Sequence, residues 1–558
     1  MTVSSSGDAL VNSGWELGPL HAKVSRRLDE WTKVEFGRRF WLKDPSVWPQ
    51  AAPRDVGERL GWLTLPHEML DRVDALRKFA DETRLEGIRH IVLLGMGGSS
   101  LAPEVYQETL GNARGFPALI VLDSTHPASV RSVRKRIDPH HTVFLVSSKS
   151  GTTLEPLAFF HYFWSELQAA KVPPGPHFVA ITDPGTPLEK LALEHGFRRV
   201  FSAKPDVGGR YAALTDFGLV PAALIGADLL GILGGARRMQ NACASGAKVS
   251  ENPGLQLGAV LGELALAGRD KVTFLVPDSW KAFPSWAEQL IAESTGKLGK
   301  GIVPVAHEPE APPKSYGNDR LFVFLRSRSG DGANLDDRVA ALEGAGHPVV
   351  RIDLDDPIEL GQEFFRWEFA VAAAGSILGI DPFDQPDVEL AKELARRAIG
   401  KKGAAARPGP DDLAIKSPST VKTALRHWMG FAQPGSYVAI QAYLTPSSEI
   451  ARLLEKLRDV LLGRLHVATT LGFGPRFLHS TGQLHKGGPP TGLFLQLVDT
   501  PKTDLSVPDA DYTFGDVIRA QALGDFQALK QRGRHVLRIR LGGDVVAGLR
   551  RILEALHG

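Results

Sequence analysis

Five short segments of this chain gather side chains that could do chemistry together. The first is Ser147-Ser148-Lys149-Ser150-Gly151-Thr152-Thr153-Leu154-Glu155. Its hydroxyls, glycine and backbone N–H groups are the parts that hold a phosphate dianion where a strand gives way to a helix. It lacks the G-x-x-x-x-G-K-[ST] spacing, so it is not a nucleotide-triphosphate P-loop. The second is Gly95-Met96-Gly97-Gly98-Ser99-Ser100, whose glycines permit close backbone approach and whose serines add donors. Read as G-x-G-x-x-G it fails, because Ser100 stands where the third glycine belongs. The third, Val207-Gly208-Gly209-Arg210-Tyr211, offers an arginine that could hold phosphate or stabilise a developing oxyanion. The fourth runs from Gln289 to Lys297 and puts Gln289 and Glu293 on one helix face. The fifth, His479-Ser480-Thr481-Gly482-Gln483-Leu484-His485-Lys486-Gly487-Gly488, supplies histidines that could shuttle protons. Taken singly, the last four also read as a tight turn, a solvated loop arginine, a surface glutamate and a structural histidine.

The elements that must position these segments follow from the apolar pattern. Between residues 60 and 235, strands are expected at 90–94, 118–123, 142–146, 178–182 and 199–201. They are short, rich in Val, Ile and Leu, and without clean alternation, as strands covered on both faces are. That predicts a parallel sheet flanked by helices, one of them over 154–168. A second alternating unit has strands at 272–276, 302–306, 320–325 and 349–354, then a helix over 360–377. Residues 400–410, rich in Gly, Ala, Lys and Pro, read as a linker. The last part alternates again, with strands at 437–443, 466–470, 493–498 and 535–540 and helices at 448–462, 514–530 and 544–557. The three αβ units resemble each other in pattern only. Before them, the stretch 15–60 with Trp15, Trp31 and Trp41 reads as a helical arm.

Composition excludes several classes. The 558 residues are 43% hydrophobic and 23% charged, as in ordinary globular domains. A formal net charge of +2 gives no basic excess for a nucleic-acid partner. The single cysteine, Cys243, allows no intrachain disulfide, and this usage fits a reducing cytoplasm. The polar N-terminal residues 1–16 do not read as a secretory signal. Residues 217–235 are the most membrane-like stretch, yet they carry Pro221, Asp228 and several glycines and read as buried helix. No tight metal spacing occurs, so no metal is expected.

Together the segments resemble the glucose-6-phosphate isomerase family over roughly residues 85–400. Residues 147–155 look like its S-K-[ST]-x-T-T-x-E loop, 207–211 its V-G-G-R-[YF] segment and 289–297 its Q-L-x-x-E-S-x-G-K signature. Residues 381–392 look like its P-F-D-Q-x-x-V-E-x-x-K segment. The likeness is nearest to the isomerase half of bacterial transaldolase–isomerase fusions, and the αβ units leave no room here for a transaldolase barrel. The resemblance implies an α/β fold of two sugar-isomerase-type (SIS) doubly wound parallel-sheet domains, at 61–240 and 241–405. An N-terminal arm (1–60) and a C-terminal αβ extension (406–558) complete the expected organisation. It implies interconversion of glucose 6-phosphate and fructose 6-phosphate through ring opening and a cis-enediolate, without a cofactor. A dual phosphoglucose/phosphomannose isomerase and a non-catalytic sugar-phosphate-binding regulator are the alternatives; the regulator is expected to lack the base and the ring-opening residues and to carry a DNA-binding helix-turn-helix or another output module.

The family's roles carry over by position. Ser148, Lys149, Ser150, Thr152 and Thr153 would hold the hexose phosphate, with Gly98, Ser99 and Gln289 beside them. Glu293 would be the base, Arg210 would stabilise the enediolate, and Lys392 would assist at the ring oxygen. One part departs from the pattern. The family's ring-opening histidine precedes the lysine and comes from the neighbouring subunit of a dimer. Here the best match, His479, follows Lys392, with His485 and His307 as substitutes. The resemblance thus implies a homodimer, a small-molecule substrate, and neither nucleic acid nor membrane as partner.

Overall fold

The computed structural model describes residues 15–328, 330–399, 413–414 and 418–557. The expected linker at 400–410 and the first residues of the expected arm, 1–14, lie outside the described residues. The first sheet contains β1 (His90–Gly95), β2 (Ala118–Leu122), β3 (Thr142–Ser147), β4 (Phe178–Thr182) and β5 (Arg199–Ser202). All its pairings are parallel, in the order β2-β1-β3-β4-β5. The register sets Gly95 opposite Ser147. The glycine loop after β1 and the Ser/Thr loop after β3 therefore leave the sheet side by side, at the point where strand order reverses and ligand crevices form.

A second parallel sheet holds β6 (Lys271–Leu275), β7 (Val303–Val305), β8 (Arg320–Ser327) and β9 (Val349–Leu354), ordered β7-β6-β8-β9. The third holds β10 (Leu413–Ala414), β11 (Tyr437–Tyr443), β12 (Ala468–Phe473), β13 (Gly492–Asp499) and β14 (His535–Gly542). Its order is β10-β14-β13-β11-β12, again all parallel. Leaving β10 aside, each sheet places its first four strands second, first, third, fourth in its own chain order. The C-terminal region is thus a third unit of the same winding, a closer kinship than the apolar pattern alone implies.

Burial ties the units together. One apolar core runs from the N-terminal helices through the first two sheets and around the helix Leu360–Leu378, which is buried along most of its length. The N-terminal tryptophans fasten the arm by burying their rings and donating their indole N–H groups. Trp48 Nε1 donates to Ala372 O at 2.8 Å, Trp41 Nε1 to Cys243 O at 2.7 Å and Trp15 Nε1 to Arg351 O at 2.8 Å. The third unit has its own core and sends Phe514 onto Phe159 of the first, ring centroids 5.8 Å apart. The strand ends of the third sheet hold a loop of the first. His126 Nδ1 accepts from Ala128 N–H, so Nε2 carries the proton and donates to Asp499 at 3.0 Å.

Some boundaries shift. The membrane-like stretch is two helices, Asp216–Leu224 and Leu229–Ala242, parted at Gly226, whose φ is +78°. Among the described residues no helix is long and apolar enough to cross a membrane. The strand expected at 466–470 begins later, at Ala468, because His466 takes a left-handed conformation that ends the preceding helix.

Candidate functional site

A cavity of about 540 Å³ opens at the strand ends of the first sheet and is walled by all three units. Its floor is the Ser/Thr loop. Thr153 is the N-cap of the helix Leu154–Ala169, so the positive helix end faces the cavity. The hydroxyls there are already ordered: Ser148 Oγ donates to Thr153 Oγ1 at 3.0 Å, and Thr152 N–H donates to Ser150 Oγ at 3.3 Å. Lys149 also lines the cavity, but its ammonium is held by the Asp183 carboxylate and by Pro205 O. Burial lowers the Lys149 pKa, and the Asp183 ion pair offsets part of that.

Gly98 and Ser99 stand beside this loop in the same cavity. Here the glycines serve packing between loops. A Cβ on Gly98 would fall 2.0 Å from Gly209 O, and one on Gly97 (φ +57°) would fall 2.6 Å from His479 O. The glycine turn is thus wedged between the Arg210 segment and the His479 segment, where a side chain would force them apart.

The second unit contributes Glu293 and Gln289 from the helix Phe283–Thr295. Gln289 Nε2 donates to Glu293 Oε2 at 3.1 Å and to His479 O at 2.9 Å, coupling the carboxylate to the histidine segment. Arg210, 3% exposed, is fixed by four donations. Nε bonds Ser294 Oγ (2.8 Å), Nη1 bonds Gln385 Oε1 (2.9 Å), and Nη2 bonds Pro382 O (2.6 Å) and Asp384 O (2.9 Å). A guanidinium has five N–H groups, so one remains, on Nη1. That nitrogen stands 3.7 Å from Glu293 Oε1. A carboxylate able to move a proton and a donor able to hold the oxygen that becomes charged are thereby set next to each other.

His479 lies in a short helical turn, Arg476–His479, and lines the same cavity. It reaches the cavity from the same chain that supplies Glu293. Its Nε2 lies 3.0 Å from Glu155 Oε1, and Glu155 is 5% exposed. Burial pushes the Glu155 carboxyl up, but the histidine charge and hydrogen bonds outweigh this and hold its pKa below the ordinary value. Lys392, on the helix Val388–Ile399, lines the cavity too, with Nζ 2.8 Å from Glu389 Oε1 and a side chain 39% exposed. The two substitute histidines are elsewhere. His485 is buried among Phe477, Phe494 and Tyr437, where burial drives its pKa far down. His307 lines a second cavity instead.

Several residues that shape the site have no role that sequence alone assigns. Glu155 stands in the Ser/Thr segment, one position inside the helix. The 381–387 segment turns out to cradle Arg210 through its carbonyls, and Lys297 braces it by pairing with Asp384 at 2.7 Å. Burial, with Arg210 nearby, pushes the Lys297 ammonium down to about 8. Gln521 and Lys486 enter the cavity from the third unit; Lys486 stands in the histidine segment without a role assigned to it there, and Gln521 lies in none of the five segments.

A family model described as phosphoglucose isomerase matches residues 69–308. The glucose-6-phosphate isomerase of Carboxydothermus hydrogenoformans is 30% identical over 409 residues, covering 63% of this chain and 87% of that protein. That of Symbiobacterium thermophilum is 31% identical over 398 residues, covering 62% and 88%. Among solved structures, a hypothetical protein from Thermus thermophilus superposes with a TM-score of 0.61 at 25% identity, covering 70% of this chain and 100% of that one. A glucose-6-phosphate isomerase from Chlamydia trachomatis shares the fold, with a TM-score of 0.52 at 21% identity, covering 67% and 80%. With relatives of this identity matched over most of their length, the chain belongs to the glucose-6-phosphate isomerase family.

Proposed function

We propose that this protein interconverts glucose 6-phosphate and fructose 6-phosphate, an aldose–ketose isomerisation of glycolysis and gluconeogenesis. The observation that carries the reading is one cavity in which Glu293 and the free N–H of Arg210 lie together, between an ordered hydroxyl loop and a histidine–glutamate pair. The phosphate sits at the hydroxyl loop and helix end, held by Ser148, Ser150, Thr152 and Thr153, with Gly98 and Ser99 alongside. Lys149 adds positive potential there rather than a freely directed donor, because Asp183 orients it.

The reaction needs a closed ring to open and a proton to move between C1 and C2. His479, oriented by Glu155, exchanges protons with the ring and C1 oxygens, and Lys392 assists at the ring oxygen. Glu293 then removes the proton from C2 of the aldose and returns it to C1. The carbon acid is weak, so the negative oxygen of the enediolate must be stabilised as it forms, and the Nη1 donor of Arg210 does this. No cofactor enters, because the electron pair stays within the substrate while the proton moves. Binding energy at the unreactive phosphate holds C1 and C2 against the carboxylate.

The resemblance implies a homodimer, and we propose one in which each site is complete within its own chain. The single cysteine, Cys243, buried and free, supports a cytoplasmic setting. The test is a coupled assay of fructose 6-phosphate conversion by the purified chain, with mannose 6-phosphate in parallel. Turnover of the first alone supports the reading, turnover of both indicates the dual isomerase, and binding without turnover indicates a regulator.

A further inference from the structure

Two hydrogen bonds converge on one oxygen of Glu155. His479 Nε2 approaches Oε1 at 3.0 Å, and Gln521 Nε2 donates to the same atom at 2.7 Å. Gln521, on the helix Phe514–Gln531, is 5% exposed. Its other end is fixed as well, because Thr125 Oγ1 donates to Gln521 Oε1 at 2.8 Å, and Thr125 is fully buried. An ionised carboxylate only accepts, so the amide must present its NH2 to Glu155 and its oxygen to the threonine hydroxyl. The Thr125 hydroxyl thus sets the amide, the amide sets the carboxylate, and the carboxylate sets the imidazole. Gln521 and His479 both lie beyond the region matched by the family model, which ends at residue 308.

We infer that Gln521, held by Thr125, is a positioning residue for ring opening: it fixes the Glu155 carboxylate that orients His479, so the third unit supplies both the histidine and the brace behind it. The inference rests on the isomerase reading. Removing the amide takes one of the two side-chain donors from Glu155 Oε1 and leaves the carboxylate less firmly fixed behind His479. The loss falls on ring opening alone, since the hydrogen bonds of the Gln521 amide run to Glu155 and Thr125 and not to the groups that move the carbon-bound proton.

The test uses the full chain with Gln521→Leu, Thr125→Val and Thr125→Ser. Each is assayed for kcat and KM on fructose 6-phosphate. Each is also assayed for solvent-deuterium exchange at C1 of 5-deoxyfructose 6-phosphate, which lacks the O5 needed to close the ring. Losing one hydrogen bond to a charged group corresponds to about a tenfold fall in kcat on the cyclic substrate. Gln521→Leu is expected to show that fall with KM unchanged and with exchange into the open-chain analogue preserved. Thr125→Val is expected to fall in the same direction, and Thr125→Ser to restore the rate. On a His479→Ala background, Gln521→Leu is expected to do nothing further, because it acts only through the histidine. Equal losses on both substrates, or losses that multiply in the double variant, overturn the proposal. Should Gln521→Leu fail to fold by its melting curve, Thr125→Val decides by the same comparison. A wild-type chain inert on fructose 6-phosphate removes the isomerase reading and this proposal together, whereas an active wild type with multiplying losses removes the proposal alone.

Discussion

Replacing Arg210 by Lys keeps the charge and removes the geometry. Four of the five guanidinium N–H groups bond Ser294 Oγ, Gln385 Oε1, Pro382 O and Asp384 O, and the fifth is left for the ligand. An ammonium has three donors on one atom, so it cannot reach these acceptors from one place. Two effects follow. The free donor beside Glu293 is lost, and a single oxyanion donor is worth about 10²–10³ in kcat, or about 2.7–4 kcal/mol. Two or more buried acceptors also lose their partner, at about 1–3 kcal/mol each, which lowers thermal stability. The phosphate end is untouched, so KM for fructose 6-phosphate is expected to stay near the wild-type value. Steady-state kinetics in the coupled assay, alongside a melting curve, separate the two effects. A folded Arg210→Lys protein with kcat within about threefold of wild type would refute the assignment, since one preorganised donor should count for far more.

Mixing tests the same-chain origin of the histidine. Glu293→Gln and His479→Ala proteins, each strongly impaired but measurable, are expected to show no gain in activity when mixed and refolded together, because the Gln289–His479 and Glu155–His479 contacts lie within one chain; recovery toward the wild-type rate would show that sites are shared between subunits. Glu288 offers a stability test. Burial pushes its carboxyl from 4.5 up to about 7 against the nearby Arg458 and Arg476. The raised folded value means that the wild type loses stability as pH climbs from the ordinary value through 7, whereas Gln cannot titrate. Glu288→Gln is therefore expected to melt above wild type at pH 8, by on the order of 1–3 kcal/mol, and to converge with it near pH 5; an equal gap at both values would contradict this.

Much of this was legible in the chain because the first two sheets are buried on both faces. Parallel strands so covered show as short Val, Ile and Leu runs, and β1, β3 and β4 fall within a residue of the expected spans. The Ser/Thr loop and the Gln289–Glu293 spacing were readable because both depend on local geometry, a strand-to-helix junction and one helical turn. Glu155 was in plain view but silent, since its task depends on His479, 324 positions away. Gln521 carries no local signal: its meaning comes from Thr125 and Glu155 meeting it across the boundary between units. The histidine's displacement past Lys392 was visible in the sequence. Its route into the cavity was not, because that depends on how Phe514 seats the third unit on the first.

The most direct measurement is Glu293→Gln, with kcat and phosphosugar affinity determined on the same preparation. Glutamine keeps the shape of the carboxylate and removes its ability to take a proton, while its NH2 must face one of the two donors, the Gln289 amide or Arg210 Nη1, that the carboxylate oxygens face. General-base catalysis contributes about 10²–10⁴ in rate, so kcat is expected to fall by at least about a hundredfold. The dissociation constant of fructose 6-phosphate, measured calorimetrically, is expected to change little, because the hydroxyl loop and helix end are intact. Near-normal turnover in a folded Glu293→Gln protein would contradict the account.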